Sequence, residues 1–296
     1  HQKSAAGFNS NLMAQQNLKH FLGLLLATFF ISTSGVLGKY IAMPTEVIIW
    51  FRSIIAMVFL FFFCRFKKID LRIKSSKDYK PFLISGLFMA AHWVTYFYAL
   101  KLSNVALGLL SLYTFPIIIA LLEPLFLKIR FNPIYIVLGL IVLIGLYIMT
   151  PDFSIENTDV KGVLFGIFSA FCYALRILIL KQHVSNYSGL ILMFYQTLII
   201  SVLLFPTLFF MDVSGIKTQW PYVLLLGILT TSIGHSLMLN SLKFFSASTA
   251  SIISSLQPIF GIVLAFLFLS EIPQINTYWG GSLILLTVMI EGFRKK

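Results

Sequence analysis

Ten apolar stretches, separated by short polar segments, dominate this chain of 296 residues. Each is about 20 residues long, the length that a helix needs to cross roughly 30 Å of hydrocarbon. None shows the alternating pattern of a membrane barrel strand. The composition agrees, because 58% of the residues are hydrophobic and 11% are charged. The sequence therefore predicts an all-α membrane protein with ten transmembrane helices, near residues 20–38, 46–64, 81–100, 104–127, 133–150, 161–180, 188–211, 221–242, 247–269 and 275–293.

Two segments half a chain apart share the same order of residue types, ALKLSNVALGLLSLYTFP at 99–116 and SLKFFSASTASIISSLQP at 241–258. Three aligned pairs share one constant offset along the chain: Lys39 with Lys181, Lys101 with Lys243, and Pro116 with Pro258. Each half holds five spans, an odd number, so the second half enters the membrane from the opposite side. The sequence predicts two inverted five-helix repeats around a central cavity, an architecture in which transporters place the substrate site near the bilayer midplane.

The repeat also predicts how the chain divides. We expect the first five-helix repeat at 19–150, a polar linker at 151–160 and the second repeat at 161–294. Residues 1–18 hold no complete apolar span and begin without Met, so we expect a disordered tail that includes a vector-derived remnant, with Met13 as the native start.

The positive charges predict the orientation in the membrane. The loop at 64–80, CRFKKIDLRIKSSKDYK, alone holds seven Lys and Arg residues. Placing both termini in the cytoplasm puts this loop and most other cations inside, as the positive-inside rule requires. We therefore expect a protein of the bacterial plasma membrane with cytoplasmic N and C termini. The formal charge of +12 then reflects topology, and no nucleic-acid partner is expected.

The repeated segments, together with FRSIIAMVFL at 51–60, resemble the EamA family of the drug/metabolite transporter (DMT) superfamily. The resemblance covers about residues 19–294 and says little about the substrate. It implies a secondary carrier, often an exporter of amino acids, metabolites or drugs, built as a basket of helices around a central cavity. We expect alternating access for small metabolites such as amino acids or amphipathic or cationic compounds. Both a monomer and a homodimer are compatible with the sequence.

Two other functions need consideration. A lipid or lipid-phosphate translocase is the main alternative, because related folds handle amphipathic cargo and Arg52 could meet a phosphate. An intramembrane enzyme would need a nucleophile with its base, paired acids or a metal set at membrane depth. One glutamate and two separated histidines do not supply these, so no catalytic residue, metal or cofactor is predicted. The chain also lacks a GxxxxGK[ST] loop for ATP hydrolysis.

Polar and aromatic side chains at mid-span depth predict the substrate site. The candidates are His92, Trp93 and Tyr96 in the third span, Tyr113 in the fourth, Tyr173 and Arg176 in the sixth, His235 in the eighth and Ser255 in the ninth. The repeat places Trp93 opposite His235 and Tyr113 opposite Ser255. Aromatic walls suit the apolar part of a ligand or a cation over a ring face. The alternatives are histidines that only satisfy hydrogen bonds, serines that allow close helix packing and an Arg176 that snorkels to the interface.

Four further positions stand out because their chemistry is costly inside a membrane. Arg52 matches Gln196 in the second repeat, and the family resemblance favours a structural brace at Arg52 over a substrate contact. Glu123 is the candidate for proton coupling, although a carboxylate at the interface beside Lys128 is the simpler interpretation. Pro116 and Pro258 cannot bond the carbonyl four residues back, so both should bend their helices.

Overall fold

A computed structural model describes the backbone of residues 2–127, 130–150 and 154–294, and the side chains of 18–127, 130–150, 154–247 and 249–290. Within these residues ten helices follow one another with short connections. They are α1 (Gln2–Tyr40), α2 (Thr45–Phe66), α3 (Tyr79–Leu102), α4 (Val105–Leu112 and Phe115–Leu127), α5 (Ile134–Met149), α6 (Thr158–Lys181), α7 (Gly189–Leu204 and Thr207–Phe210), α8 (Ile216–Ser241), α9 (Ala247–Ile253 and Leu256–Leu269) and α10 (Ile275–Arg294).

Eight of these helices are long and apolar enough to cross a membrane, and α5 and α10 are shorter apolar helices. The two short helices pack on each other at an unusually close crossing. A Cβ added to Gly280 would lie 2.3 Å from the carbonyl oxygen of Gly145, and one added to Gly145 would lie 2.8 Å from that of Gly280. Glycine at both positions is what allows the two backbones to meet. The prediction of ten helices in an all-α membrane protein is confirmed.

The packing of the helices follows the two-fold relation between the repeats. Helix α3 packs on α6 as α8 packs on α1, and α4 packs on α6 as α9 packs on α1. Helices α2 and α7 pack on each other, and so do α5 and α10. Every one of these pairs joins the first half of the chain to the second. The main interfaces therefore lie between the repeats, and a site at the centre of the molecule draws residues from both.

The amino-terminal segment differs from the sequence prediction. We expected residues 1–18 to be a disordered tail, whereas α1 is continuous from Gln2 and its apolar span begins at Leu18. The segment contains Ala, Gln, Leu and Met, which favour helix, and no proline. A helix already nucleated by the apolar span can extend backward through such residues at little cost.

Helices α4 and α9 are interrupted at matching places. The first segment of α4 ends at Leu112 and the second begins at Phe115, while α9 breaks between Ile253 and Leu256. Pro116 and Pro258 each lie in the first turn of the second segment, where a missing N–H removes no helical bond. The prolines therefore start a new helical segment, and each long helix consists of two rods joined by a short turn.

Candidate functional site: a closed cavity between the repeats

A small cavity of about 20 Å³ lies at the centre of the bundle. Six of the predicted site residues line it: His92, Trp93, Tyr96, Tyr113, Tyr173 and His235. Five further residues complete the wall: Ile31, Ser34, Leu112, Phe115 and Gln257. Both halves of the chain contribute. The cavity holds about one water molecule, so this conformation is closed, and a larger molecule could enter only if the helices separate.

His92 is held in one orientation by α6. Its Nδ1 lies 2.7 Å from the Ser169 hydroxyl, which itself donates to the backbone carbonyl of His92 at 2.8 Å. Because the hydroxyl hydrogen is used on the carbonyl, Nδ1 carries the proton and donates to the hydroxyl oxygen. The neutral ring then has Nε2 as its acceptor. The ring also packs on Tyr173, with centroids 4.6 Å apart.

Arg52 is fully buried behind Trp93. Its Nε donates to the Thr231 hydroxyl at 2.6 Å, and Nη1 lies 3.4 Å from that of Ser34. The guanidinium carbon stands 3.8 Å from the centroid of the Trp93 ring, which is itself 5.5 Å from His235. We expected this ring to accept a ligand cation, but the structure places the protein's own cation over it. That face of the ring is therefore occupied by Arg52.

Arg176 does not snorkel to the interface. It is fully buried, and its Nε and Nη2 donate to Oε1 of Gln196 at 3.1 and 2.8 Å. The guanidinium carbon lies 5.3 Å from the centroid of Tyr173, which lines the cavity. Arg176 therefore stands one layer behind the wall, in the same relation to Tyr173 as Arg52 has to Trp93.

The two repeats carry their buried arginine on different helices, the second helix in the first repeat and the first helix in the second repeat. Ser34 and Arg176 are separated by the constant offset of the repeat and occupy matching places on α1 and α6, while Arg52 and Gln196 occupy matching places on α2 and α7. In the first repeat the guanidinium belongs to Arg52 on α2, and its partner within that repeat is Ser34 on α1. In the second repeat the guanidinium belongs to Arg176 on α6, and its partner is Gln196 on α7. Each repeat thus places one guanidinium beside the cavity, although a simple alignment pairs each arginine with a neutral residue.

Tyr113 faces Gln257 rather than Ser255. The Tyr113 hydroxyl donates to Oε1 of Gln257 at 2.8 Å and also touches the carbonyl oxygen of Ser254. Ser255 lies outside the wall and its hydroxyl bonds back to the carbonyl of Ile252 at 2.6 Å. The sequence signal for Gln257 was present, since it is a polar residue directly before the repeated proline.

A wide helical turn in α8 was not predicted. Residues Leu226–His235 form a π-helix, in which the Thr231 hydroxyl bonds the carbonyl of Leu226 five residues back at 2.8 Å. π-Segments are rare and concentrate at functional sites. This one carries both Thr231, which holds Arg52, and His235, which lines the cavity. Gly227 allows the segment to approach α2, because an added Cβ would lie 3.1 Å from the carbonyl oxygen of Arg52.

Two lysines close the bundle at opposite ends in the same way. Lys39 Nζ, at the end of α1, donates to the carbonyls of Leu100 and Ser103 at 2.8 and 2.5 Å. Lys181 Nζ, at the end of α6, donates to those of Leu242 and Phe245. The four acceptors also match at the same offset as the lysines. Cations at the carboxyl end of a helix satisfy its free carbonyls and its dipole, so each lysine ties two helices together.

Glu123 lies apart from the cavity. It is 4% exposed, in the second segment of α4, and interacts electrostatically with Lys181. It is not among the cavity-lining residues. Lys128, beside which we expected it, lies outside the described residues. Proton coupling through Glu123 stays a prediction.

Comparison with known proteins agrees with this architecture. The chain is 25% identical over 276 residues to the pseudopaline exporter CntI of Pseudomonas aeruginosa, covering 92% of this chain and 95% of that protein. It is 23% identical over 271 residues to the uncharacterized transporter YxxF of Bacillus subtilis, covering 90% and 86%. A solved crystal structure shares the fold with a TM-score of 0.70 at 17% identity, covering 93% and 97%.

The chain also matches a family model over both repeats. The model of the EamA-like transporter family matches the chain twice in succession, at residues 18–150 and 160–291. The two matches together span nearly all of both helical repeats. The chain therefore belongs to the EamA-like transporter family, within the drug/metabolite transporter superfamily.

Proposed function

We propose that the protein is a secondary transporter that exports a small metabolite across the bacterial plasma membrane by alternating access. One observation carries this proposal: a polar and aromatic cavity lies between two repeats, and matching lysine contacts tie helices together at opposite ends of the bundle. A cavity with equivalent closures at its two ends can open at one end while the other stays shut. That is the requirement for a carrier built from inverted repeats.

The interrupted helices supply the moving parts. Tyr113 on the turn of α4 donates to Gln257, next to the turn of α9, so the two breaks meet at the cavity wall. A rod that swings about either turn changes the wall without unwinding a long helix. Rocking of one repeat against the other then moves the opening from one side of the membrane to the other.

The direction and the cargo are part of the proposal. Export of a small metabolite such as an amino acid or an amphipathic compound is supported by the relative whose name is pseudopaline exporter. The geometry does not favour the cationic compounds that we also expected, since Arg52 already occupies the face of Trp93.

The lipid-translocase alternative requires a polar opening toward the bilayer. A groove of about 420 Å³ does lie beside the bundle, between α1, α8 and α9. Its wall is mostly apolar, with Val36, Leu37, Leu229 and Phe268 among its residues. An apolar groove would not guide a lipid headgroup across the membrane, so the carrier is the better interpretation.

The inverted architecture can be tested by labelling. Ser76 and Ser154 are exposed and lie in loops that we place on opposite sides, Ser76 before α3 and Ser154 before α6. In a background without Cys64 and Cys172, we expect S76C to react with an impermeant thiol reagent only from the cytoplasmic side and S154C only from outside. Both reacting from the same side would contradict the odd number of spans per repeat and the proposed orientation.

A further inference from the structure

We propose that the cargo of this transporter is a small organic anion, whose acid oxygens are bound by the guanidinium groups of Arg52 and Arg176. This inference deepens the proposed function and rests on it. The cavity described above is the binding site, and the charge of its surroundings defines the class of substrate.

The two arginines are buried without a compensating acid. Arg52 and Arg176 are both 0% exposed, and arginine keeps its charge in proteins. Within the described residues, the ion pair at salt-bridge distance is His183 with Asp78, at 3.4 Å near one end of the bundle. The partners of the two guanidiniums are neutral side chains: Thr231, Ser34, Gln196, Tyr173 and the Met193 sulfur. A buried charge with neutral partners is costly in a membrane protein, and it indicates a function in which a counter-charge arrives.

The unused hydrogen-bonding groups around the cavity are mainly donors. Four donor atoms buried near it have no partner in the described structure: Arg52 Nη2, Arg176 Nη1, Trp93 Nε1 and the Tyr96 hydroxyl. His235 Nδ1 is also without a partner. Trp93, Tyr96 and His235 line the cavity and are 1%, 2% and 2% exposed. Buried donors are normally satisfied, so this set fits a ligand that supplies several acceptor oxygens.

Both guanidiniums lie against residues of the same cavity wall. Arg52 Nη1 lies 3.4 Å from the hydroxyl of Ser34, a residue of that wall. Arg52 lies 3.8 Å from the ring centroid of Trp93 and Arg176 lies 5.3 Å from that of Tyr173, and both rings belong to the wall. A shift of these rings when the helices separate exposes the forks of both arginines. The planar fork of arginine matches the oxygens of a carboxylate or a phosphate, and the surrounding rings suit a carbon skeleton.

A purely structural role for both arginines is the competing explanation, and it makes a different prediction. A brace needs the hydrogen bonds to Thr231 and Gln196 but not the free Nη atoms. It also gives no reason for the chain to keep one guanidinium per repeat on different helices. An anion-binding role accounts for both features.

The charge of the cavity can be measured without knowing the substrate. Leu112 lines the cavity, and L112C in a background without Cys64 and Cys172 places a thiol there. Its reaction rates with an anionic and a cationic methanethiosulfonate of similar size are compared, each divided by the rate with a small thiol in solution. A positively charged cleft concentrates anions, so we expect the anionic reagent to be favoured by about tenfold or more. The preference should fall toward one in R52Q and in R176Q, and persist in R52K.

The controls separate the possible failures. R65Q removes an exposed arginine and should leave the preference unchanged. Reaction of L112C without an anion preference, or a preference that survives R52Q and R176Q, would overturn the anion inference and leave the carrier intact. A thiol that reacts with neither reagent would contradict the opening of the cavity and hence the proposed function. Thermal stabilisation by N-acetylphenylalanine or phenyl phosphate, compared with N-acetylphenylalanine amide, then distinguishes a carboxylate from a phosphate cargo.

Discussion

W93A is expected to lower the thermal unfolding midpoint of the purified protein by roughly 5–15 °C, from a loss of about 3–5 kcal/mol. The Trp93 ring is 1% exposed, lies under the Arg52 guanidinium at 3.8 Å and packs on His235. Truncation removes this packing, leaves a cavity and exposes a buried cation to it. As Trp93 belongs to the predicted substrate site, weaker ligand binding is the effect that the sequence leads us to expect. The structure adds a large structural effect.

The chain offers a matched control for this experiment. Trp279 on α10 is 67% exposed on the outer surface of the bundle. W279A should therefore change the midpoint by no more than about 2 °C. W93F, which keeps a ring under the guanidinium, should lose less than W93A. Equal midpoints for W93A and W279A would show that Trp93 does not support the centre of the bundle.

K39M and K181M should shift the transporter toward opposite open states. Each lysine donates two charge-assisted hydrogen bonds to carbonyls at the end of another helix. Lys39 of α1 bonds the end of α3, and Lys181 of α6 bonds the end of α8. Bonds to charged groups contribute about 1.5–3 kcal/mol each, so loss of either pair should change the balance of states by tenfold or more. With the proposed orientation, K39M opens the outer end and K181M the inner end.

Labelling of L112C by an impermeant thiol reagent reports the two effects. We expect faster labelling from outside in K39M and from the cytoplasmic side in K181M, each relative to the parent. K67M, at an exposed lysine, should change neither rate. If both variants accelerated labelling from the same side, the two lysines would not be equivalent closures of an inverted pair.

Much of the fold follows from the sequence because two signals are independent of detailed packing. Apolar length sets the helices, and the constant offset between matching residues of the two halves sets the repeat. The offset also holds at atomic detail, since Lys39 and Lys181 reach carbonyls at matching positions. The π-segment at Leu226–His235 could not be predicted, because its sequence is apolar and helical in pattern and the wide turn depends on contacts with α2.

The site was predicted less completely, for two physical reasons. Ser255 was chosen because the repeat places it opposite Tyr113, but it lies in the break of α9 between Ile253 and Leu256, and the residue that faces Tyr113 is Gln257. Arg176 and Gln196 lie on different helices and contact each other. Alignment of the repeats matches Arg176 with Ser34 and Gln196 with Arg52, so it does not reveal this contact. Sequence spacing identifies which residues share a helix face. It does not show which faces meet.

The most direct test of the whole account is whether the central cavity can be reached from each side of the membrane. L112C, 4% exposed and in the cavity wall, should react with an impermeant thiol reagent added to right-side-out vesicles and, separately, to inside-out vesicles. T287C, at a fully buried site on α10 away from the cavity, should react in neither. Reaction of L112C from one side only, or from neither, would contradict alternating access through this cavity.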